Sequence, residues 1–332
     1  MQAVCSSRNA ALLQLTLRIV RKLLWMLLVL WGITLISFWV IHLAPGSPTD
    51  METTLNPLAG EAARQRLEAL YGLDKPLHVQ YLDWLSRLVR LDFGLSMSAD
   101  GRPVLDKIME RLPLTVGMNV ISLILTLIIA IPIGILSACR QNSLLDRGVT
   151  VFVYLGFAMP SFWLAVLLIL LFSSNLGLLP ASGALPAFFS DPGGWCARMA
   201  LPAFALAVPV AGQMIRVIRT SMVEELDKDY VRTARGFGIP MGPVVAKNVL
   251  RNALISPVTV LGLKIAHLIG GAVVIEVIFN LPGMGMLILQ GIQANYITLI
   301  QGVVLVVALA FIIINIIVDM LYVLIDPRIR TV

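Results

Sequence analysis

Lys264 and His267 stand three residues apart in "ISPVTVLGLKIAHLIGGAVVIEVIF", a run with few other polar groups. On a helix that spacing puts both side chains on one face. A charge in the middle of a bilayer-spanning segment costs roughly 2.5–3.5 kcal/mol on insertion scales, so it turns toward a cavity or a partner. Two chemistries fit the pair. In one, Lys264 pairs with Asp319 or snorkels to a boundary, and His267 hydrogen-bonds between helices; Asp319 lies about two turns from the end of the last apolar run, at a similar depth. In the other, both line a polar route, where Lys264 attracts a carboxylate and His267 touches a metal-bearing ligand. Glu276 follows nine residues after His267. It falls about half a turn away in azimuth, so it cannot pair with His267 on the same helix.

A second polar stretch, "MVEELDKDYVRTARGFGIP" at 222–240, interrupts the apolar pattern. The spacing predicts a helix over 221–238. Ser221 and Glu224 have capping-box spacing, Glu224 and Lys228 form an i,i+4 pair, and Asp229 and Arg232 an i,i+3 pair. Leu226, Tyr230, Ala234 and Phe237 fall on one face. Gly236 and Gly238 supply a left-handed cap, and Pro240 stops the helix. A second short helix is expected in "PVVAKNVLRNAL". Such a pair has two readings. It is an interfacial element whose arginines meet anionic head groups at about 1 kcal/mol each, or it is a docking surface, for which a defined turn has a use.

Several chemistries are missing. There is no G-x-x-x-x-G-K-[ST] phosphate loop, no H-E-x-x-H zinc helix and no G-x-S-x-G elbow. His42, His78 and His267 are far apart, and Cys5, Cys139 and Cys196 fit neither a disulfide framework nor a metal spacing. The chain is expected to be neither an ATPase nor another enzyme, and to hold no cofactor of its own. Nothing in it calls for nucleic acid.

These polar groups must be positioned by membrane helices. The 332 residues are 58% hydrophobic and 13% charged, with a mean hydropathy of +0.89, about half the charge of a soluble domain. Apolar runs long enough to cross a bilayer lie at 23–44 and near 113–138, 149–174, 199–218, 254–279 and 299–325. Pro160 is expected to kink the third, and Pro202 and Pro209 interrupt the fourth. The first is too long for a signal-peptide core. Lys and Arg crowd one set of ends (Arg18, Arg21, Lys22; Arg140, Arg147; Arg216 to Arg251; Arg328, Arg330), whereas the 280–298 loop has none and 175–198 only Arg198. The positive-inside rule puts both termini and the 230–240 stretch in the cytoplasm.

The organisation expected is therefore a cytoplasmic segment 1–22, a first transmembrane helix 23–44 and an extracytoplasmic helical insertion 45–112. A five-helix core 113–325 follows, carrying the cytoplasmic loop 220–253, and then a tail 326–332. In the insertion, Val79, Leu82, Leu85 and Val89 have helical spacing. The Gly270–Gly271 pair predicts close helix approach. The fourteen methionines are read as apolar filler.

"VRTARGFG" resembles the EAA loop of ABC-importer permeases, with Ala234 and Gly238 at the conventional spacing but Arg232 and Thr233 where the strict motif has Glu and Ala. The variant "DYVRTARGFG…VLRNAL" is similar to the peptide/nickel branch. "HLAPGSP", "YGLDKPLHVQYLDWLSRLVRLDFGLSM", "RLPLTV", "AMPSFW", "IRTSMVEEL", "IEVIFNLPGMG" and "DPRIR" resemble it in order over roughly residues 15–330. The chain looks like the first permease subunit of a dipeptide-permease-like importer. The resemblance implies an all-α, six-helix type I importer permease fold. It implies an ATPase-coupling helix carrying Tyr230, Val231, Arg232, Thr233, Ala234, Arg235, Phe237 and Gly238, joined by Arg251 and Asn252. It further implies a second homologous permease, two ATPase subunits that bind ATP and Mg, an extracytoplasmic binding protein, and a cargo of di- or oligopeptides, nickel or a metal chelate. It supports Glu276 in its "IEVIF" context and does not extend to Lys264 or His267; these two and Asp319 are path candidates from their depth and spacing alone. The alternative class is a self-contained secondary transporter or channel, which needs inverted repeats and coupling acids.

Overall fold

The computed structural model describes residues 21, 24–39, 74–96, 98 and 100–325. The chain is all-α: in chain order come α1 (Leu24–Trp39), α2 (Leu77–Val89), α3 (Val104–Cys139), α4 (Leu144–Ala158) and α5 (Ser161–Leu168, running on as a π-helix to Asn175). Then follow α6 (Pro192–Leu226), α7 (Asp229–Gly236), α8 (Met241–Val244), a π-helix Val245–Val249, α9 (Leu250–Ala253), α10 (Ile255–Ile278), α11 (Met284–Gln293) and α12 (Ile297–Ile325). Among the described residues the one strand-like feature is an isolated Leu95–Pro103 bridge.

Three helices, α3, α6 and α12, are individually long and apolar enough to cross a bilayer, and α4 with α5 and 241–253 with α10 form two bent pairs. With α1 they fall on the six apolar runs. The expected kink at Pro160 is a full break: α4 and α5 meet at 102°, because Pro160 cannot donate to α4 and instead opens α5 as its N-cap residue. Pro202 and Pro209, by contrast, lie inside a continuous 35-residue α6. That helix starts seven residues before the expected run, where Asp191 caps Gly194 and Pro192 occupies the first turn.

The chain divides into two compact units, one of 1–109 with 288–312, the other of 110–287 with 313–332. In the first, α2 lays Tyr81, Trp84 and Leu88 against Phe38 and Leu305, with Phe38 and Tyr81 edge to face at 5.4 Å. The face expected from Val79, Leu82, Leu85 and Val89 is thus rotated: Leu82 and Val89 are exposed, since the aromatic rings bury more area. Residues 60–70, "GEAARQRLEAL", and both chain ends lie outside the described residues. Thr34 donates to the Trp31 carbonyl and pairs at 3.0 Å with the Tyr81 hydroxyl. Tyr81→Phe is expected to cost about 1 kcal/mol, read as a modest fall in unfolding temperature in detergent with the aromatic cluster intact.

In the second unit α6 is the central post: 67% of its most apolar window is buried, against 28% for α3. On α3 the exposed stripe is apolar (Val116, Val120, Ile124, Ile128, Leu136), while Thr115, Ser122 and Thr126 are buried. That inversion of the soluble pattern fits a lipid exterior. Ser122 and Thr126 donate to carbonyls one turn back, and Thr126 also reaches across to the Ala207 carbonyl on α6. α3 and α6 cross closely at Gly134, where an added Cβ would sit 2.7 Å from Ile218.

Candidate functional site

The 221–238 stretch is two helices, not the single one expected. α6 runs through Ser221 and Glu224 to Leu226, Asp227 ends it, and Lys228 is extended (ψ 151°) before α7 begins at Asp229. The capping box is therefore not used. Lys228 pairs with Glu225 at 2.5 Å rather than with Glu224. Asp229 and Arg232 approach only to 3.9 Å and both are exposed. The C-terminal cap forms as expected: Gly238 has φ +71°, its N–H bonds to the Arg235 carbonyl and that of Ile239 to the Ala234 carbonyl. That is a Schellman motif, which a glycine accommodates without Cβ strain.

Glu225 explains the break. Its carboxylate, 6% exposed, accepts from the Tyr230 hydroxyl at 3.0 Å and from Asn252 Nδ2 at 3.1 Å, besides Lys228. One side chain thus ties the end of α6, the start of α7 and α9. Burial first, and then the Glu225 carboxylate, push the Tyr230 phenol above its usual range, so it stays a donor at neutral pH. Arg235 Nε reaches Met241 Sδ at 3.3 Å. Val231 is fully buried in the cluster of Ile215, Ile218, Met222, Val249 and Ala253, and Tyr230 and Ala234 pack against it.

The expected stripe is consequently split. Tyr230, Val231 and Ala234 hold α7 down, while Arg232, Thr233, Arg235 and Phe237 point outward, with Arg251 also exposed. Phe237 is 81% exposed beside Ile239. A rigid helix presents an apolar knuckle flanked by arginines.

A second buried node had no place in the sequence reading. Asp146 receives a bidentate pair from Arg219, Nε and Nη2 each at 2.7 Å, and further bonds from Ser137 Oγ at 2.5 Å and the Asn142 N–H at 3.0 Å. The Ser143–Asp146 spacing, in which Ser143 caps the Asp146 N–H, was the available signal.

At the other end of α6, Glu276 is wholly enclosed. Its carboxylate accepts from Thr115 Oγ1 at 2.5 Å and the Gly285 N–H at 2.6 Å, and the Thr115 oxygen accepts from the Met284 N–H at 2.9 Å. Glu276 and Thr115 thus hold the 280–285 loop. Arg198, noted only as a lone loop cation, is a buried helical residue whose guanidinium donates to the carbonyls of Ala181 and of Phe279, the latter at 2.6 Å. The 280–298 loop itself contains α11, which "MGMLILQGIQ" could have signalled. Lys264 is half-buried in α10. The side chains of His267 and Asp319 lie outside the described residues, and with them the expected Lys264–Asp319 pair.

Residues 130–331 match the family described as binding-protein-dependent transport system inner membrane component, and residues 15–119 its N-terminal membrane component. The chain is 39% identical to the oligopeptide transport system permease protein AppB of Bacillus subtilis (strain 168), over 94% of this chain and 98% of that one. It is 36% identical to the probable D,D-dipeptide transport system permease protein DdpB of Escherichia coli (strain K12), covering 94% and 97%. Among solved structures it resembles the inward-facing MetNI methionine ABC transporter (TM-score 0.53, 18% identity, 67% of this chain and 97% of that one). It also resembles an amino acid ABC transporter (TM-score 0.52, 12% identity, 66% and 94%). With the helix order above, these place the chain among the binding-protein-dependent transport system inner membrane components, the multi-pass permease subunits of ABC importers.

Proposed function

We propose that the chain is one permease half of an importer for di- or oligopeptides, and that α7 with its Schellman turn is the element an ATPase subunit grips from the cytoplasm. The observation that carries this reading is the Phe237–Ile239 knuckle, exposed on a helix locked from behind by Glu225 and Val231. A phenylalanine held outward in this way has a use when a partner covers it. Arg232, Arg235 and Arg251 around it fix register against acidic groups of the partner. Both termini are cytoplasmic, a second homologous permease completes the pathway, and a binding protein delivers cargo outside. The peptide cargo follows the names of the relatives; nickel or a metal chelate is the other cargo the resemblance allowed. Lys264 remains the residue for a substrate carboxylate to meet.

The test is purification of the tagged chain from native membranes in mild detergent, with the co-purifying subunits identified and the binding protein assayed against peptides and nickel. The expected result is an ATPase, a second permease and a peptide-binding protein. A chain that emerges alone and transports without ATP overturns the proposal in favour of a self-contained transporter. Phe237→Ser is expected to leave the chain inserted and folded but to weaken ATPase retention about tenfold or more, the burial free energy of one large apolar side chain.

A further inference from the structure

α6 is gripped by polar side chains at two levels. Glu225, near its end, holds α7 and α9. Arg219, six residues earlier, holds Asp146. Six residues turn a helix by about 240°, so the two grips lie about 120° apart around the axis, one toward the exposed α7 and one toward the α3–α4 turn. Asp146 is 4% exposed, and its carboxylate is saturated by Arg219, Ser137 and Asn142. Ser137 lies in the last turn of α3, Asn142 in the connecting turn, and Asp146 itself in the first turn of α4.

The apolar packing at this level is continuous with the same elements: Ala130 and Ala138 of α3, Val153 of α4, Ile215 and Ile218 of α6 and Val231 of α7 share one buried cluster. Apolar contacts, however, tolerate sliding by a fraction of a turn. A bidentate guanidinium–carboxylate pair does not, because its two parallel bonds fix both distance and orientation.

We propose that the Asp146–Arg219 pair is a positioning clamp of the transport cycle: it passes displacement of α7, received by α6 through Glu225, on to α3 and α4. The inference rests on the reading of α7 as the ATPase-gripped element. Without the clamp α6 moves alone, ATP is still hydrolysed, and the pathway does not open. The clamp has no contact with substrate or nucleotide.

The experiment uses the assembled importer in proteoliposomes, with ATP hydrolysis and peptide uptake measured on the same preparation. Asp146→Asn and Arg219→Met are expected to keep binding-protein-stimulated hydrolysis within about twofold of the parent while uptake per ATP falls about tenfold. The double variant is expected to be no worse than either single one, since both remove one unit. Arg219→Lys, which keeps the charge and loses the second parallel bond, guards against simple misassembly: it should assemble and show an intermediate uptake per ATP. Parent-like uptake per ATP in the assembled Arg219→Lys complex overturns the clamp, as does a proportionate loss of hydrolysis and uptake in Asp146→Asn. If the parent complex shows no ATP-driven uptake at all, the functional reading has failed and the clamp falls with it, an outcome visible before any variant is made.

Discussion

Glu225→Ala is expected to abolish ATP-driven uptake while leaving the chain inserted in the membrane. The substitution removes the common acceptor of Tyr230, Asn252 and Lys228. The half-buried Tyr230 phenol loses its acceptor, which costs up to about 1–3 kcal/mol, and Asn252, on an exposed residue, loses the bond that ties α9 to α6. α7 has only eight residues, well below the roughly 12–15 at which an isolated helix becomes marginal in water. It exists because it is docked, through Val231 on its apolar side and Glu225 on its polar side. With half of that dock gone, the Phe237 knuckle no longer has a fixed position, and a partner pulling on it moves the helix instead of α6. Hydrogen exchange over 229–238 should accelerate sharply while that of α3 is unchanged. Glu225→Gln, which keeps one acceptor oxygen for Tyr230 or Asn252, should retain part of the uptake. Uptake within about twofold of the parent in Glu225→Ala would remove the docking argument, since the predicted loss of contacts is much larger than that.

The sequence was most legible where one side chain acts through its own backbone. Apolar length located the runs that carry α3, α6, α12 and the two bent pairs, and Gly238, with its positive φ, marked the turn that follows α7 two residues past its end at Gly236. It was least legible where a distant residue decides. The stretch 221–238 has good local helical signals, yet it breaks at Asp227 because Glu225 finds Asn252, 27 residues away, and α7 folds back to share it. Likewise the face of α2 is set by Phe38 and not by its own aliphatic spacing. Glu276 attracted attention as an acid in an apolar run, and the structure explains its burial by donors from Thr115 and Gly285, neither of which carries a local signal. Close helix approach was expected at Gly270–Gly271; Gly270 has open space around it and Gly271 only an ordinary contact with Leu206. The tight positions are Gly134, Gly283, Gly285 and Gly302, where the neighbour comes from another element.

Gly285→Ala should therefore be among the most damaging single changes in the chain. A Cβ at this position would lie 2.5 Å from Val273 Cα and 2.8 Å from the Val273 carbonyl oxygen. Both are backbone atoms of α10, held by the helix ladder, so the neighbour cannot swing aside and the 280–285 loop must lift. Lifting it breaks the bond from the Gly285 N–H to Glu276 and, through Met284, the one to Thr115. Overpacking of this kind costs about 1–3 kcal/mol, and a buried polar group left without its hydrogen-bond partner about 1–3 more. Gly238→Ala is the informative comparison. Gly238 has positive φ but nothing within 4 Å, so it should pay only the left-handed strain of about 1–2 kcal/mol. Gly270→Ala, with open space and ordinary φ, should be near neutral. Unfolding temperatures of the three variants in one detergent should thus fall in the order Gly270→Ala, Gly238→Ala, Gly285→Ala. If Gly285→Ala melts like Gly270→Ala, the loop is not clamped on α10, and Glu276 is free to face the pathway as its position in the run first implied.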